Sequence, residues 1–407
     1  YPEWAGTARF SDWVSSAKDW CISRQRYWGT PLPIWRCSKC GRVEVIGTID
    51  ELKKRAVELA GETQLHIPHI DKILLRCECG AAMNRVKDVF DVWFDSAVAS
   101  WATLGFPGRE DDFKSLWPAD FITEGHDQTR GWFYSQLGAS MVAFRRAPYK
   151  SVLMHGFTFD ESGRKMSKSL GNIVDPEDVI KKYGVDTLRL YVLAASAPWD
   201  DLRFSWGEVA NTSRILNIFW NVCRFSVSYM ELDGFRGLPY DKARKSLRTE
   251  DKWMLARVQS LIAEVTEGLE TYNLHRAARA LENFILEELS RWYILLVRPR
   301  TWIEREDPDK MAAYFTLHYV LTECTKLLAP FTPFLAEKIY LELKGKKESS
   351  VHLLNWPKVN KKFVNATLEK RMDIAKNIVG ATLKARQAAE RKLRWPVKQI
   401  IVSSESK

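Results

Sequence analysis

The amino-acid sequence predicts an α/β fold built on a doubly wound parallel sheet, followed by an all-α region. Three observations predict it. Val152-Leu153-Met154 is a short apolar run that ends at His155-Gly156 and leads through a turn and a basic loop into a capped helix. Phe121-Ile122-Thr123 is a second strand-like run, followed by a polar cluster and an amphipathic stretch through Tyr134, Leu137, Met141 and Phe144. Beyond Ser205 the apolar residues keep helical spacing to near the end of the chain.

Composition narrows the class. The chain has 407 residues, 46% of them hydrophobic, enough for about two to four domains with ordinary cores. Its formal charge of +10 favours a polyanionic partner. No run of about 18 apolar residues occurs, so no membrane span is expected. Tyr1-Pro2-Glu3-Trp4 has no initiator Met, basic start or apolar stretch, and reads as the start of a piece of something longer. Seven cysteines, four of them in two close pairs, suit a reducing, cytoplasmic compartment and a metal better than a disulfide framework.

In chain order, residues 12–35 are rich in aromatics and arginine. Ser23-Arg24-Gln25-Arg26-Tyr27-Trp28-Gly29 sets guanidiniums beside rings, as phosphate and base sites do and as aromatic-anchored surface strands also do. Thr30-Pro31-Leu32-Pro33 must be extended. Cys37-Ser38-Lys39-Cys40-Gly41 and Cys77-Glu78-Cys79-Gly80 then give C-x2-C and C-x-C, each with a glycine that lets backbone amides turn toward sulfur. Four thiolates suit a closed tetrahedral structural zinc site at Cys37, Cys40, Cys77 and Cys79. A helix is expected over residues 50–58 between the pairs, with His66 and His69 as bystanders.

The strand at Phe121 runs into Glu124, Gly125, Asp127 and Gln128, where a doubly wound sheet places ligand contacts at the carboxyl edge of its strands. Trp93 and Trp132 either wall an apolar pocket beside that edge or belong to the core. Past the Asp160–Gly163 turn, Lys165 and Lys168 stand three residues apart with Ser167 and Ser169. Two ammoniums and two hydroxyls between Gly163 and Gly171 form phosphate-binding equipment, the competing reading being a solvated basic loop. Asp175 caps the next helix, with Pro176 first and Gly184 at its end.

The later helices carry stripes at Trp253, Leu261, Val265 and Leu269, then at Leu274, Leu281, Ile285 and Leu289 after a cap at Asn273. Asp307-Pro308 opens another helix, and Pro330 and Pro333 separate it from the next. Arg276, Arg279, Arg291, Arg298 and Arg300 are candidates for contact with RNA backbone from the outer faces. A helix near 367–391 and a strand over 397–402 complete the expectation.

These blocks carry a resemblance. GRKMSKSLGN at 163–172 resembles the KMSKS signature of the class I aminoacyl-tRNA synthetases. ISRQRYWGTPLPIW, DVWFDS and EGHDQTRGWF, in that order, resemble that family's isoleucyl branch, and the cysteine insertion resembles its archaeal and eukaryote-like members. The valyl and leucyl branches share the first and last blocks and stay open as alternatives.

The resemblance implies the second half of a Rossmann-type catalytic domain with a zinc-binding insertion, then an α-helical anticodon-binding bundle. The expected divisions are 1–36, 37–86 for the insertion, 87–204 for the catalytic half, 205–345 for the bundle and 346–407 for a basic tail. It implies a cytoplasmic, monomeric enzyme that uses ATP and Mg2+ to activate isoleucine and transfers it to tRNA(Ile). Lys165, Ser167, Lys168 and His155 would then contact ATP, with Lys165 and Lys168 catalytic. Glu124, Gly125, Asp127, Gln128, Trp93 and Trp132 would hold the aminoacyl adenylate. The family's HIGH motif and editing insertion have no counterpart in these residues, so a fragment inactive by itself is expected. A non-catalytic RNA-binding module is the alternative of a different class.

Overall fold

In the computed structural model, which describes residues 1–25, 28–58, 64–302, 307–343 and 349–403, the chain divides into units Tyr1–Gly156 and Phe157–Lys407. Arg26 and Tyr27 lie outside the described residues.

The cysteine-bearing part of the first unit is an antiparallel sheet. Its strands are β1 (Ile34–Cys37), β2 (Val43–Val45), β3 (Leu75–Arg76) and β4 (Ala82–Arg85), in the order β2-β1-β4-β3, with the helix α1 (Ile49–Arg55) between β2 and β3. Thr48 caps α1 by accepting from Glu51 N. Alternation along β1 and β4 hides Trp35, Cys37 and Met83, which pack with Leu52 and Leu75 into a small core. Arg85 is buried but matched, donating to Asp71 and to the carbonyls of Leu32 and Asp88. The Leu32 amide in turn donates to Asp88 O, which keeps the Thr30–Pro33 segment extended as its prolines require.

The rest of the first unit is a β-α-β arrangement. α2 (Val92–Ala97) precedes β5 (Ala119–Gly125), and α3 (Trp132–Phe144) connects β5 to β6 (Tyr149–His155). β5 and β6 pair in parallel, Glu124 opposite Met154 and Gly125 opposite His155. The buried positions of α3 are Phe133, Ser135, Gln136 and Ser140, whereas Met141 is exposed. The expected stripe through Tyr134 and Met141 is thus one residue out of phase, the inward face being the one that carries Phe133, Gln136 and Ser140. Phe144 is the exception and joins an aromatic cluster with Trp101, Phe106, Phe113 and Trp117.

The second unit begins with β7 (Thr158–Phe159), α4 (Pro176–Tyr183), α5 (Val185–Ala195) and β8 (Leu202–Arg203), with β8 parallel to β7. Asp175 caps α4 by accepting from Glu177 N, Pro176 stands first, and Gly184 ends it at φ 85. Six longer helical segments follow: α6 (Trp206–Leu232), α7 (Thr249–Glu270), α8 (Leu274–Asn283), α9 (Pro308–Leu328), α10 (Pro333–Leu343) and α11 (Ala366–Ala388). α8 continues through wide π-type turns at Phe284–Ile294 to Thr301. Phe219, Trp253, Leu281, Phe284, Leu289 and Leu317 share one core. Each such side chain contributes about 1.5–3 kcal/mol by leaving water. Gly268 lets α7 and α8 meet closely, since a Cβ there would lie 2.9 Å from the Ala277 Cβ. No helix among the described residues is long and apolar enough to cross a membrane.

Three local expectations need correction. Asn273 stands at the start of α8 but its amide donates to Thr271 instead of capping the helix. Residues 397–403 form no strand. Arg300 does not face outward, being 3% exposed and bound to Asp251 at 2.8 Å and to Asp309 at 2.9 Å. Pro299 lies just before Arg300 in this last helical stretch, and nothing in the local apolar pattern reveals acidic partners so far away in sequence.

Candidate active site

At the carboxyl ends of β5 and β6, Glu124 and His155 come together. The Glu124 Oε2 lies 3.9 Å from His155 Nε2 and also accepts from Gly125 N at 3.3 Å. His155 Nδ1 donates to the Gly156 carbonyl at 3.0 Å, which turns Nε2 toward the carboxylate. Both side chains are about half exposed. Asp127 and Gln128 follow on a short helical turn, His126–Arg130. Gln128 donates from Nε2 to Asp127 Oδ2 at 2.6 Å and accepts at Oε1 from the Trp132 amide at 3.0 Å, so α3 fixes the orientation of its side-chain amide. Carboxylates, an amide and an imidazole on this strand edge can receive an ammonium and hydroxyls.

Trp93 and Trp132, on helices packed against each other, differ in what they face. Trp93, 43% exposed, lines a cavity of about 600 Å³ together with Trp13, Trp20, Arg24 and Arg130. Trp132 is not among that cavity's lining residues, and its indole donates to the Ser96 carbonyl at 3.0 Å. Asp91, a residue the sequence reading passed over, organises this corner. It is 4% exposed and accepts from Trp20 Nε1 at 3.0 Å, Arg24 Nη2 at 2.5 Å and the Trp93 amide at 3.1 Å. Its signal was its place one residue before a helix.

In the second unit the basic loop is clamped. Asp160, 8% exposed, accepts from the Arg164 amide at 2.8 Å, Arg164 Nε at 3.0 Å and Asn172 Nδ2 at 2.9 Å. Asn172 also donates to the Lys165 carbonyl at 3.2 Å and accepts from the Ser167 amide at 2.9 Å. Ser167 Oγ accepts from the Leu170 amide at 3.3 Å and meets Ser169 Oγ at 3.2 Å. Gly163 and Gly171 take φ 77 and 63, conformations a side chain would oppose. Met166 turns inward against the cluster of Val179, Tyr191 and Phe204. Lys165 and Lys168 are exposed, and among the described residues neither makes an ion pair. The hydrogen bond from Asn172, then that from the Arg164 amide, holds the Asp160 carboxyl below its usual range. Asp160 and Asn172 are the positioning residues that sequence reasoning missed, having read Asp160 only as a turn.

The four predicted metal-ligating thiols converge. The sulfurs of Cys37, Cys40, Cys77 and Cys79 all lie within 4.8 Å of one another. Cys37–Cys79 and Cys40–Cys77 are each 3.6 Å apart, close to the roughly 3.8 Å edge of a tetrahedron with zinc–sulfur bonds of about 2.3 Å. Gly41 and Gly80, at φ 75 and 83, close two matching turns in which Gly41 N donates to Cys37 O and Gly80 N to Cys77 O. The Cys40 amide lies 3.5 Å from Cys37 Sγ and holds that thiol down at about 6.

Residues 1–205 match the class I tRNA synthetases (I, L, M and V). The chain belongs to the class I tRNA synthetases. Residues 251–402 match the anticodon-binding domain of tRNA ligases. Its fold is accordingly that family's α/β catalytic architecture followed by the helical anticodon-binding region. The isoleucine–tRNA ligase of Methanothrix thermoacetophila is 61% identical over 409 residues, covering 100% of this chain and 39% of that protein. That of Methanosarcina mazei is 58% identical over 412 residues, with the same coverage. The chain thus spans 39% of the length of these curated relatives. Among solved structures, a LeuRS of Agrobacterium radiobacter K84 in a ternary complex with tRNA and LeuAMS aligns with a TM-score of 0.66 at 21% identity, covering 89% of this chain and 46% of that one. A Mycobacterium tuberculosis methionyl-tRNA synthetase in complex with methionyl-adenylate aligns with a TM-score of 0.61 at 20% identity, covering 87% and 64%. These two likenesses concern the fold.

Proposed function

We propose that this chain is part of an isoleucine–tRNA ligase that joins isoleucine to ATP as the aminoacyl adenylate, with Mg2+ on the triphosphate, and passes it to tRNA(Ile). The observation that carries the reading is the clamped loop with two unpaired lysines, in a chain 61% identical to an isoleucine–tRNA ligase. Lys165 and Lys168 meet the negative charge that develops on the phosphates as pyrophosphate leaves, with Ser167 and His155 as further ATP contacts. Glu124, Gly125, Asp127 and Gln128 hold the ammonium and the ribose side of the adenylate, and Trp93 and Trp132 border the isoleucine side chain. No covalent enzyme intermediate is needed, so positioning and electrostatics carry the rate.

Cys37, Cys40, Cys77 and Cys79 hold a structural zinc ion that closes the insertion over residues 37–86. The catalytic part extends to about residue 204, with the bundle over 205–345 and the tail over 346–407. The seven unbridged cysteines are in the state that a cytoplasmic compartment maintains, and we infer a monomer there.

The test is isoleucine-dependent ATP–pyrophosphate exchange by the whole protein carrying this chain. Isoleucine should support exchange far better than leucine, and Lys168→Ala should lower the rate by roughly 10²–10³ with isoleucine affinity little changed. Exchange driven equally by leucine, or a Lys168→Ala variant altered only in isoleucine affinity, would refute the assignment.

A further inference from the structure

We propose that Arg203 is a third phosphate-binding cation beside the lysine loop, holding the pyrophosphate end of a nucleotide next to Lys165. That the nucleotide is ATP rests on the ligase reading above. The placement of the cation rests on strand register.

β7 and β8 are joined by the Leu202 amide, which donates to Phe157 O at 2.8 Å, and by the Phe204 amide, which donates to Phe159 O at 3.0 Å. This ladder sets Arg203 opposite Phe159, and an antiparallel bridge sets Phe159 opposite Lys165. Residues opposite one another across strands share a face, and neighbours along a strand alternate. Leu202, Phe204 and Met166 join the apolar cluster of Val179 and Tyr191. Arg203 and Lys165 therefore take the opposite face, where both are exposed. Their backbones are two strand spacings apart, about 10 Å. Two long cationic side chains at that separation can close on a single polyphosphate.

The guanidinium lies over the start of the loop. A Cβ on Gly163 would stand 3.2 Å from Arg203 Nε and 3.4 Å from its Cζ, so the bare glycine leaves the room that the guanidinium fills. The Gly163 amide donates to Asp160 O at 2.8 Å, and Asp160 is the residue that Asn172 clamps. Arg203 thus rests on the fixed part of the loop. Its backbone is fixed too, because Tyr191 Oη donates to Arg203 O at 3.3 Å and accepts from Ser205 N at 2.8 Å. Its side chain, by contrast, makes no hydrogen bond or ion pair among the described residues. Asp201, two residues earlier, has Oδ1 engaged by the Phe157 amide at 2.8 Å.

The reaction calls for a cation at this place. When a carboxylate oxygen attacks the α-phosphorus, the bond from that phosphorus to the α–β bridging oxygen breaks, and its electron pair leaves with pyrophosphate. A planar guanidinium gives two parallel N–H groups to two oxygens of one phosphate, which a lysine cannot do. Arg203 supplies that fork while Lys165 and Lys168 act as point charges.

The experiment titrates inorganic pyrophosphate with Mg2+ into the whole protein carrying this chain, beside isoleucine-dependent exchange. Arg203→Gln should weaken pyrophosphate binding about 10- to 100-fold and raise the KM for ATP, with the KM for isoleucine and the melting temperature unchanged. Arg203→Lys should recover part of the loss, since it keeps the charge without the fork. Unchanged pyrophosphate affinity in Arg203→Gln would overturn the proposal. So would a lower melting temperature with that affinity kept, which would make the guanidinium a prop of the fold, or a loss confined to tRNA affinity. If the wild-type protein shows no isoleucine-dependent exchange, weaker pyrophosphate binding by Arg203→Gln would uphold the site and sink the ligase reading alone.

Discussion

Asn172→Ala isolates the clamp from the lysines it positions. The substitution leaves Lys165 and Lys168 in place but removes three hydrogen bonds, to Asp160 at 2.9 Å, to the Lys165 carbonyl at 3.2 Å and from the Ser167 amide at 2.9 Å. At about 0.5–1.5 kcal/mol net for each, and with Asn172 half-buried so that water replaces part of the loss, the clamp should contribute roughly 2–3 kcal/mol. If all of it serves to hold the loop for the transition state, exchange should slow by about 30- to 150-fold, with the KM for isoleucine nearly unchanged. A second readout is acid stability. Because the folded Asp160 carboxyl is held low, first by Asn172, its contribution is complete above the unfolded value of about 3.9 and disappears as pH falls through the lowered folded value. The melting gap between wild type and Asn172→Ala should therefore be full at pH 7 and shrink below about pH 4. Normal exchange, an effect confined to the KM for isoleucine, or a gap that widens in acid would refute the reasoning.

Protein purified under reducing conditions should hold about one zinc ion per chain by metal analysis, and Cys40→Ser/Cys79→Ser should lose it along with the fold of the insertion. Four freely titratable thiols and no metal would remove the site. Arg300→Ala should destabilise the protein by about 3–5 kcal/mol in denaturant titration, since it strands the Asp251 carboxylate, which is 0% exposed and, among the described residues, keeps Tyr293 at 2.7 Å and the Arg248 amide at 2.9 Å. Adding Asp251→Asn should recover part of that loss, and a deficit below about 1 kcal/mol would refute the buried ion-pair network.

What was legible in the sequence was local. The βαβ order, the cap at Asp175, the two cysteine turns and the helical stripes each follow from spacings within a few residues, and the structure carries them. Three local readings failed: the Asn273 side chain prefers Thr271, residues 397–403 form no strand, and α3 buries Ser140 and Gln136 instead of Met141. Partners distant in sequence were out of reach. Arg300 and Asp251 are 49 residues apart and Arg24 and Asp91 are 67 apart, and a charged residue in a list of candidates says nothing of where its counter-ion will be.

That distinction between paired and unpaired charge separates scaffold from site in this chain. Leaving Lys165 and Lys168 without carboxylates costs the fold little, because an exposed ion pair contributes about 0–1 kcal/mol. On the function proposed above, the same ammonium meeting phosphate charge that develops during the reaction would contribute about 3–4 kcal/mol. Asp160, close by in sequence, could have neutralised them, but its oxygens are already taken by Arg164 and Asn172. The loop therefore fixes its lysines without discharging them. Arg300 shows the opposite arrangement: enclosed by Asp251, Glu250 and Asp309, it has no field left for a ligand. By this criterion the outward arginines Arg276 and Arg298 remain candidates for RNA contact. Arg279, bound to the carbonyls of Ala194 and Ala195, and Arg291, paired with Glu287, are weaker ones.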